Sequence, residues 1–246
     1  MSTRVVWCEG EGHDGRVRDT WWDLVHGGRC CACGRPGRVL CPVCADALPR
    51  DARPARPTPC PPGLAQCLVA GPYEDPLRAV ILAHKERAAH ALARPLAASL
   101  AATIRAVPAA DPIVLVPVPS RPGVVRARGH DPLLRIIHAA AARARRHRDV
   151  SVLRLLRSRL PVRDQADLGA GGRLANLVDS MAVRPGARAA LVRTGGRVVV
   201  CDDVLTTGAT AREAQRALEE SGISVETIVC LAATTRRSLP LSAAAD

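Results

Sequence analysis

Residues 197–222, RVVVCDDVLTTGATAREAQRALEESG, constrain the fold of this chain more than any other stretch. The apolar run Val198, Val199, Val200 and Cys201 is short and β-branched, the composition of a strand buried inside a parallel sheet rather than a piece of helix. Asp202 and Asp203 follow directly, then the turn Thr206-Thr207-Gly208-Ala209-Thr210. A helical pattern comes next, with Ala211, Ala214, Leu218 and Ser221 on one face and Gly222 as its stop. Strand, acidic pair, hydroxyl-rich turn and helix, in that order, place a ligand site at the carboxyl end of the strand.

The order of the groups also dictates the chemistry. Free backbone N–H groups and the positive end of the helix dipole attract an anion, the threonine hydroxyls add donors, and Gly208 lets the backbone approach closely. Carboxylates just upstream repel that anion. They must therefore face sugar hydroxyls, a metal ion, or a carbon that becomes positive during reaction. Phosphate at one end and a polyol or cation at the other describe a sugar phosphate. The segment from Val199 to Thr210 resembles the phosphoribosyl pyrophosphate motif of type I phosphoribosyltransferases: hydrophobic residues, two acids, two hydrophobic residues, then Thr-Thr-Gly-x-Thr. That resemblance gives Asp202 and Asp203 to the ribose hydroxyls and Thr206, Thr207, Gly208, Ala209 and Thr210 to the 5-phosphate. An ordinary strand–turn–helix joint would need neither adjacent acids nor five ordered turn residues.

A second motif lies near the start. Cys30, Cys33, Cys41 and Cys44 form two C-x2-C pairs separated by seven residues, enough to give four thiolates to one tetrahedral ion, with Gly34 suited to the turn of the first knuckle. These four are assigned to structural zinc. Cys31 stands one residue from Cys33 on the wrong spacing for a knuckle. Cys8 with His13, and Cys60 with Cys67, have no distinctive spacing and stay unassigned. The beginning of the chain lacks the basic-then-apolar build of a secretory leader, and no run is apolar for long enough to span a membrane, so a cytoplasmic protein is expected. In that compartment ten cysteines favour metal ligands and core thiols over a disulfide framework.

The length, 246 residues, suits one large domain with a small appendage. A short helix bearing Trp21, Leu24 and Val25 and the cysteine module occupy residues 1–50; a proline-rich linker spans 51–66; the main domain runs over 67–246. Within it the pattern predicts an edge strand at 68–73. A helix at 75–83 turns Leu77, Val80, Ile81 and His84 inward, and an alanine-rich helix at 88–107 is interrupted at Pro95. A buried strand at 113–119 leads into a basic loop whose Arg121, Arg126 and Arg128 are placed to hold a diphosphate. The helix at 132–148 turns Leu133, Leu134, Ile137 and Ala141 inward and ends in Arg143, Arg145, Arg146 and Arg148. Those arginines are either a solvated helix end or a contact for single-stranded DNA. A strand at 150–155, an irregular lid or hood at 157–196, a strand at 225–232 and a frayed tail at 236–246 complete the pattern.

Formal net charge is +12 and the isoelectric point about 10.2, carried by arginine, since Lys85 is the only lysine. Charge alone says little about a polyanionic partner here, because the absence of phenylalanine and the abundance of alanine point to coding bias as well. The absence of interleaved aromatics also argues against a stacking platform for single strands.

Taken together, the chain resembles the ComF family of competence-associated, phosphoribosyltransferase-like proteins. The residues that carry the likeness are the Trp-Asp-Leu helix running into the cysteine knuckles, Gly71-Pro72-Tyr73 followed by Pro76-Leu77-Arg78, and Lys85. To these are added Pro117-Val118-Pro119, Arg128-Gly129, the spaced Gln165, Arg173 and Asn176, and the acidic-pair motif. Glu86-Arg87 after the lysine departs from the family pattern. The resemblance implies an α/β fold, a type I phosphoribosyltransferase-like parallel sheet flanked by helices with a hood, behind a zinc-ribbon-like module. It implies phosphoribosyl pyrophosphate with Mg2+ as ligand, transfer of phosphoribosyl to a nitrogen acceptor, and a link to uptake of single-stranded DNA. Single-stranded DNA or competence proteins are the implied partners, homo-oligomerisation is left open, and no acceptor base is implied. The alternative is a non-catalytic binding module of the competence machinery that uses the same pocket.

Overall fold

The computed structural model of the protein describes residues 28–120, 131–159 and 179–234. Its centre is a six-stranded sheet in the order β1-β2-β8-β7-β3-β4. The strands are β1 (Arg53–Ala55), β2 (Cys67–Pro72), β3 (Ile113–Pro117), β4 (Val150–Val152), β7 (Arg197–Leu205) and β8 (Val225–Ala233). All neighbours run parallel except β1, which pairs antiparallel with β2 at the outer edge. A separate antiparallel pair, β5 (Leu156–Ser158) with β6 (Met181–Val183), stands beside it. The inner strands are apolar almost without alternation. Every residue of β3, and Val198 to Cys201 of β7, is buried, as a sheet covered on both faces requires.

The described residues form six α-helices: α1 (Pro42–Asp46), α2 (Leu77–Glu86), α3 (Ala93–Arg105), α4 (Pro132–Ala144), α5 (Ala187–Thr194) and α6 (Ala209–Glu220). On α2 the buried set includes Leu77, Val80, Ile81 and His84, the stripe expected from the sequence. On α4, Leu133, Ile137 and Ala141 are buried with Ile136 and Ala140, while Leu134 is only half-buried. The start of α4 is fixed by Asp131, whose Oδ1 accepts from the Leu134 N–H at 3.1 Å, with Pro132 in the first turn.

Several sequence expectations change in detail. The strand expected at the edge, 68–73, lies one position in, because Arg53–Ala55, inside the stretch read as a linker, pairs with it. Proline is tolerated in that outermost strand, where its missing N–H removes no internal ladder bond. Pro95 does not interrupt α3. It sits in the first turn, where no N–H is needed, and a single 3-10 turn, His90–Leu92, precedes the helix. The segment expected to be irregular to residue 196 contains β6 and α5. Of the strand expected at 150–155 only Val150–Val152 forms, as β4, and β5 begins beyond it at Leu156; residues 1–27, 121–130, 160–178 and 235–246 lie outside the described residues, with the expected Trp21 helix, most of the basic loop, most of the hood and the tail.

Candidate functional site

The sheet order locates a crevice without reference to any side chain. From β3 the chain passes through α4 to β4 on one side; from β7, the neighbour of β3, it passes through α6 to β8 on the other. Connections that leave adjacent parallel strands in opposite directions open a gap at their carboxyl ends. Pro117 of β3 is in register with Cys201 of β7, and the Val118 N–H donates to the Cys201 carbonyl at 2.9 Å. Asp202, Asp203 and the following turn therefore stand at this gap, beside Val118, Pro119 and Ser120.

The two acids differ in their surroundings. Asp202 Oδ1 accepts from the Asp203 N–H at 2.8 Å. Loss of water, then the neighbouring Asp203 charge, pushes the Asp202 carboxyl up to about 7, against the opposing pull of that N–H and of Lys85. Asp203 is ion-paired with the Lys85 ammonium, which reaches it from the last turn of α2. That turn is itself anchored: His84 is fully buried, its ring nitrogens 3.1 Å from the Ala89 carbonyl and 3.3 Å from the Pro132 carbonyl. The only lysine of the chain is thus held against the second acid of the pair.

The turn offers donors as the sequence suggests. Thr206 and Thr207 are exposed, and among the described residues the N–H groups of Thr206, Thr207 and Gly208 make no hydrogen bond. Thr207 Oγ1 accepts from the Ala209 N–H at 3.4 Å, which caps α6 locally, and Thr210 lies in its first turn. Gly208 has φ of 73°, and a Cβ there would come within 2.9 Å of Pro57 Cγ and 3.1 Å of Leu64 Cδ2. The close approach that requires glycine is that of the proline-rich segment. Gln215 of α6 fixes this segment by accepting from the Ala65 N–H at 2.9 Å and donating to the Gly63 carbonyl at 2.9 Å, and Arg212 donates to the Pro62 carbonyl at 3.1 Å. The stretch read as a proline-rich linker is built onto the turn and its helix.

On the β3 side a cavity of about 300 Å³ adjoins the crevice, between Pro117–Ser120 and the β5–β6 pair, lined by Asp131, Arg154, Arg157 and Arg184 among others but by no residue of the acidic pair or the turn. Ser120 Oγ donates to Asp131 Oδ1 at 3.2 Å, tying together the two ends of the basic loop. Arg121, Arg126 and Arg128, expected to hold a diphosphate, lie outside the described residues, as do Gln165, Arg173, Asn176, Cys8 and His13. The arginines brought to the crevice are Arg154, Arg157 and Arg184, which sequence reasoning passed over. Their one signal is their position in or beside two short strands.

The cysteine cluster assembles as its spacing predicts. The sulfurs of Cys30, Cys33, Cys41 and Cys44 all lie within 4.8 Å of one another, and Cys33 Sγ is 3.7 Å from Cys41 Sγ. Four sulfurs around a tetrahedral zinc at 2.3 Å stand about 3.8 Å apart, so the donor set fits such an ion. Gly34, at φ of 73°, closes the first knuckle, its N–H donating to the Cys30 carbonyl at 2.8 Å; the second runs into α1. Burial pushes the Cys30 thiol up, but the N–H groups of Cys41, Cys33 and Ala32 outweigh it and bring it down to about 6, favouring a thiolate. Cys67 is instead driven up to about 12 by burial, its thiol donating to the Ala65 carbonyl at 3.4 Å, and Cys60 donates to the Pro61 carbonyl at 3.7 Å.

Of the four arginines at the end of α4, two are structural. Arg148 donates to the carbonyls of Ile104, Val107 and Ala109 at 2.7–3.0 Å and to Asp111 Oδ1 at 2.8 Å, with its side chain only 8% exposed. Arg145 donates to the Val150 carbonyl at 2.9 Å. Arg143 and Arg146 remain exposed.

Among the described residues no helix is long and apolar enough to cross a membrane. Comparison with protein-family models and with curated proteins gives no match.

Proposed function

We propose that the crevice at the carboxyl ends of β3 and β7 binds phosphoribosyl pyrophosphate with Mg2+ and transfers its phosphoribosyl group to a nitrogen acceptor. The observation that carries this reading is the juxtaposition of an acidic pair with three unpaired N–H groups at a topological switch point. The Thr206–Thr210 turn holds the 5-phosphate. Asp202 and Asp203 accept from the ribose hydroxyls, which replace the Lys85 ammonium on Asp203. Arg154, Arg157 and Arg184 face the diphosphate, with Arg121 and Arg128 of the basic loop as further donors. Magnesium suits the hard oxygens of diphosphate and hydroxyl. In the reaction the bond from C1 to the diphosphate oxygen breaks with its electron pair, and pyrophosphate leaves. The acceptor nitrogen forms the new bond to C1 and gives up its proton, while the two carboxylates stabilise the positive charge on the ribose ring.

The four-cysteine module holds structural zinc in this account, and the resemblance to the ComF family supports a role linked to uptake of single-stranded DNA. Pyrophosphate release measured against a panel of nitrogenous bases tests the transferase reading. Release that depends on one base and vanishes in Asp202→Asn/Asp203→Asn is the expected result. Silence across the panel, with the ligand still bound, overturns transfer in favour of a binding module.

A further inference from the structure

A second pocket, of about 440 Å³, lies away from the carboxyl-end crevice, between the last turn of α3 and the end of α4. It is lined by Arg50, Ala98, Arg105, Arg143, Arg146 and His147. Four arginines line one concavity, and among the described residues no carboxylate lines it. Among the described residues none of these four side chains has a hydrogen bond or ion pair. The contrast with their neighbours is informative. Arg145 and Arg148, on the same helix end, direct their guanidinium groups to the Val150 carbonyl, to the carbonyls at and just beyond the end of α3, and to Asp111. The four arginines of the pocket are left over from that task. Like charges gathered in a concavity repel one another, and an occupant of opposite charge removes that cost.

We infer that this pocket binds a compact oligophosphate, independently of the carboxyl-end site. Its volume is that of a small-molecule site rather than an extended groove. Guanidinium groups match phosphate oxygens in paired donors. Among the described residues no Phe, Tyr or Trp lines it, and its one ring is the His147 imidazole, so it lacks the run of aromatic faces on which successive bases of a single strand stack. Arg50 comes from the end of the cysteine module, two residues beyond the buried Leu48, so an anion here also bridges the module to α3 and α4.

Arginine-specific dicarbonyl labelling of the full wild-type chain, mapped by mass spectrometry with and without inorganic triphosphate, tests this directly. At triphosphate about ten times its dissociation constant, labelling of Arg50, Arg105, Arg143 and Arg146 is expected to slow about tenfold, while exposed Arg193 stays unchanged. Saturating phosphoribosyl pyrophosphate with Mg2+ should not remove that protection, and Arg143→Glu/Arg146→Glu should abolish it at Arg50 and Arg105. Equal protection of Arg193, or none at the four, overturns the inference. So does protection by a single-stranded oligonucleotide without protection by triphosphate, which would make the pocket part of a nucleic-acid face.

Discussion

Lys85 and Asp203, far apart in the chain, form an ion pair at the mouth of the crevice. The ammonium neutralises one carboxylate of an adjacent pair and lowers the proton affinity of the other, Asp202, whose carboxyl still stands at about 7. Ligand binding that needs Asp202 ionised should therefore strengthen as pH rises through about 7. Lys85→Met removes the lowering influence, so the midpoint of Mg2+-dependent phosphoribosyl pyrophosphate binding is expected to move to higher pH. A midpoint unchanged or lowered in the variant would separate Lys85 from the electrostatics of the site.

Asp202 also makes a stability prediction. Its folded carboxyl titrates at about 7, above the usual unfolded value near 4, so between those values the native state holds a proton that the unfolded state has lost. Stability from this group is present at low pH and is lost as pH rises through about 7. Asp202→Asn should raise the melting temperature at pH 8 by a few degrees, on the order of 2 kcal/mol, and by progressively less toward pH 5. Thermal scans at three pH values check this; a gain that is largest at pH 5 would contradict it.

For the cysteine module the expectation is one zinc per chain by elemental analysis. Because metal binding and folding are linked in so small a unit, chelation should lower the melting temperature, and Cys33→Ser should lose the metal while the crevice still binds its ligand. A protein purified without chelator that carries no zinc contradicts the assignment.

Arg148 is expected to matter for stability and Arg146 not. Arg148→Ala leaves the carbonyls of Ile104, Val107 and Ala109 without their donor and should cost about 2–3 kcal/mol. Arg146→Ala, at an exposed position, should change stability by less than about 0.5 kcal/mol. Urea unfolding of the two variants makes the comparison, and equal effects would refute the clamp.

How much of this was legible in the sequence follows from how local each feature is. β7, the turn and α6 occupy one continuous stretch whose order carries its geometry. The knuckles likewise depend on spacing alone. Helix α5 was missed because it has almost no apolar stripe, burying only Ala187, and is bounded by left-handed glycines, Gly186 and Gly195. β1 was missed because its proline and arginine read as linker, and only the partner strand β2 makes them a strand. The Lys85–Asp203 pair and the packing of Pro57 and Leu64 on Gly208 are tertiary contacts between distant segments, which no local pattern encodes.

On the proposed reading the acidic pair and the turn together form a phosphoribosyl pyrophosphate site. Titration calorimetry with that ligand, with and without Mg2+, on the wild type and on Asp202→Asn/Asp203→Asn, measures it most directly. The account predicts saturable binding by the wild type that requires Mg2+ and is lost in the double variant. Equal heats for the two proteins, or no binding by the wild type, would contradict it.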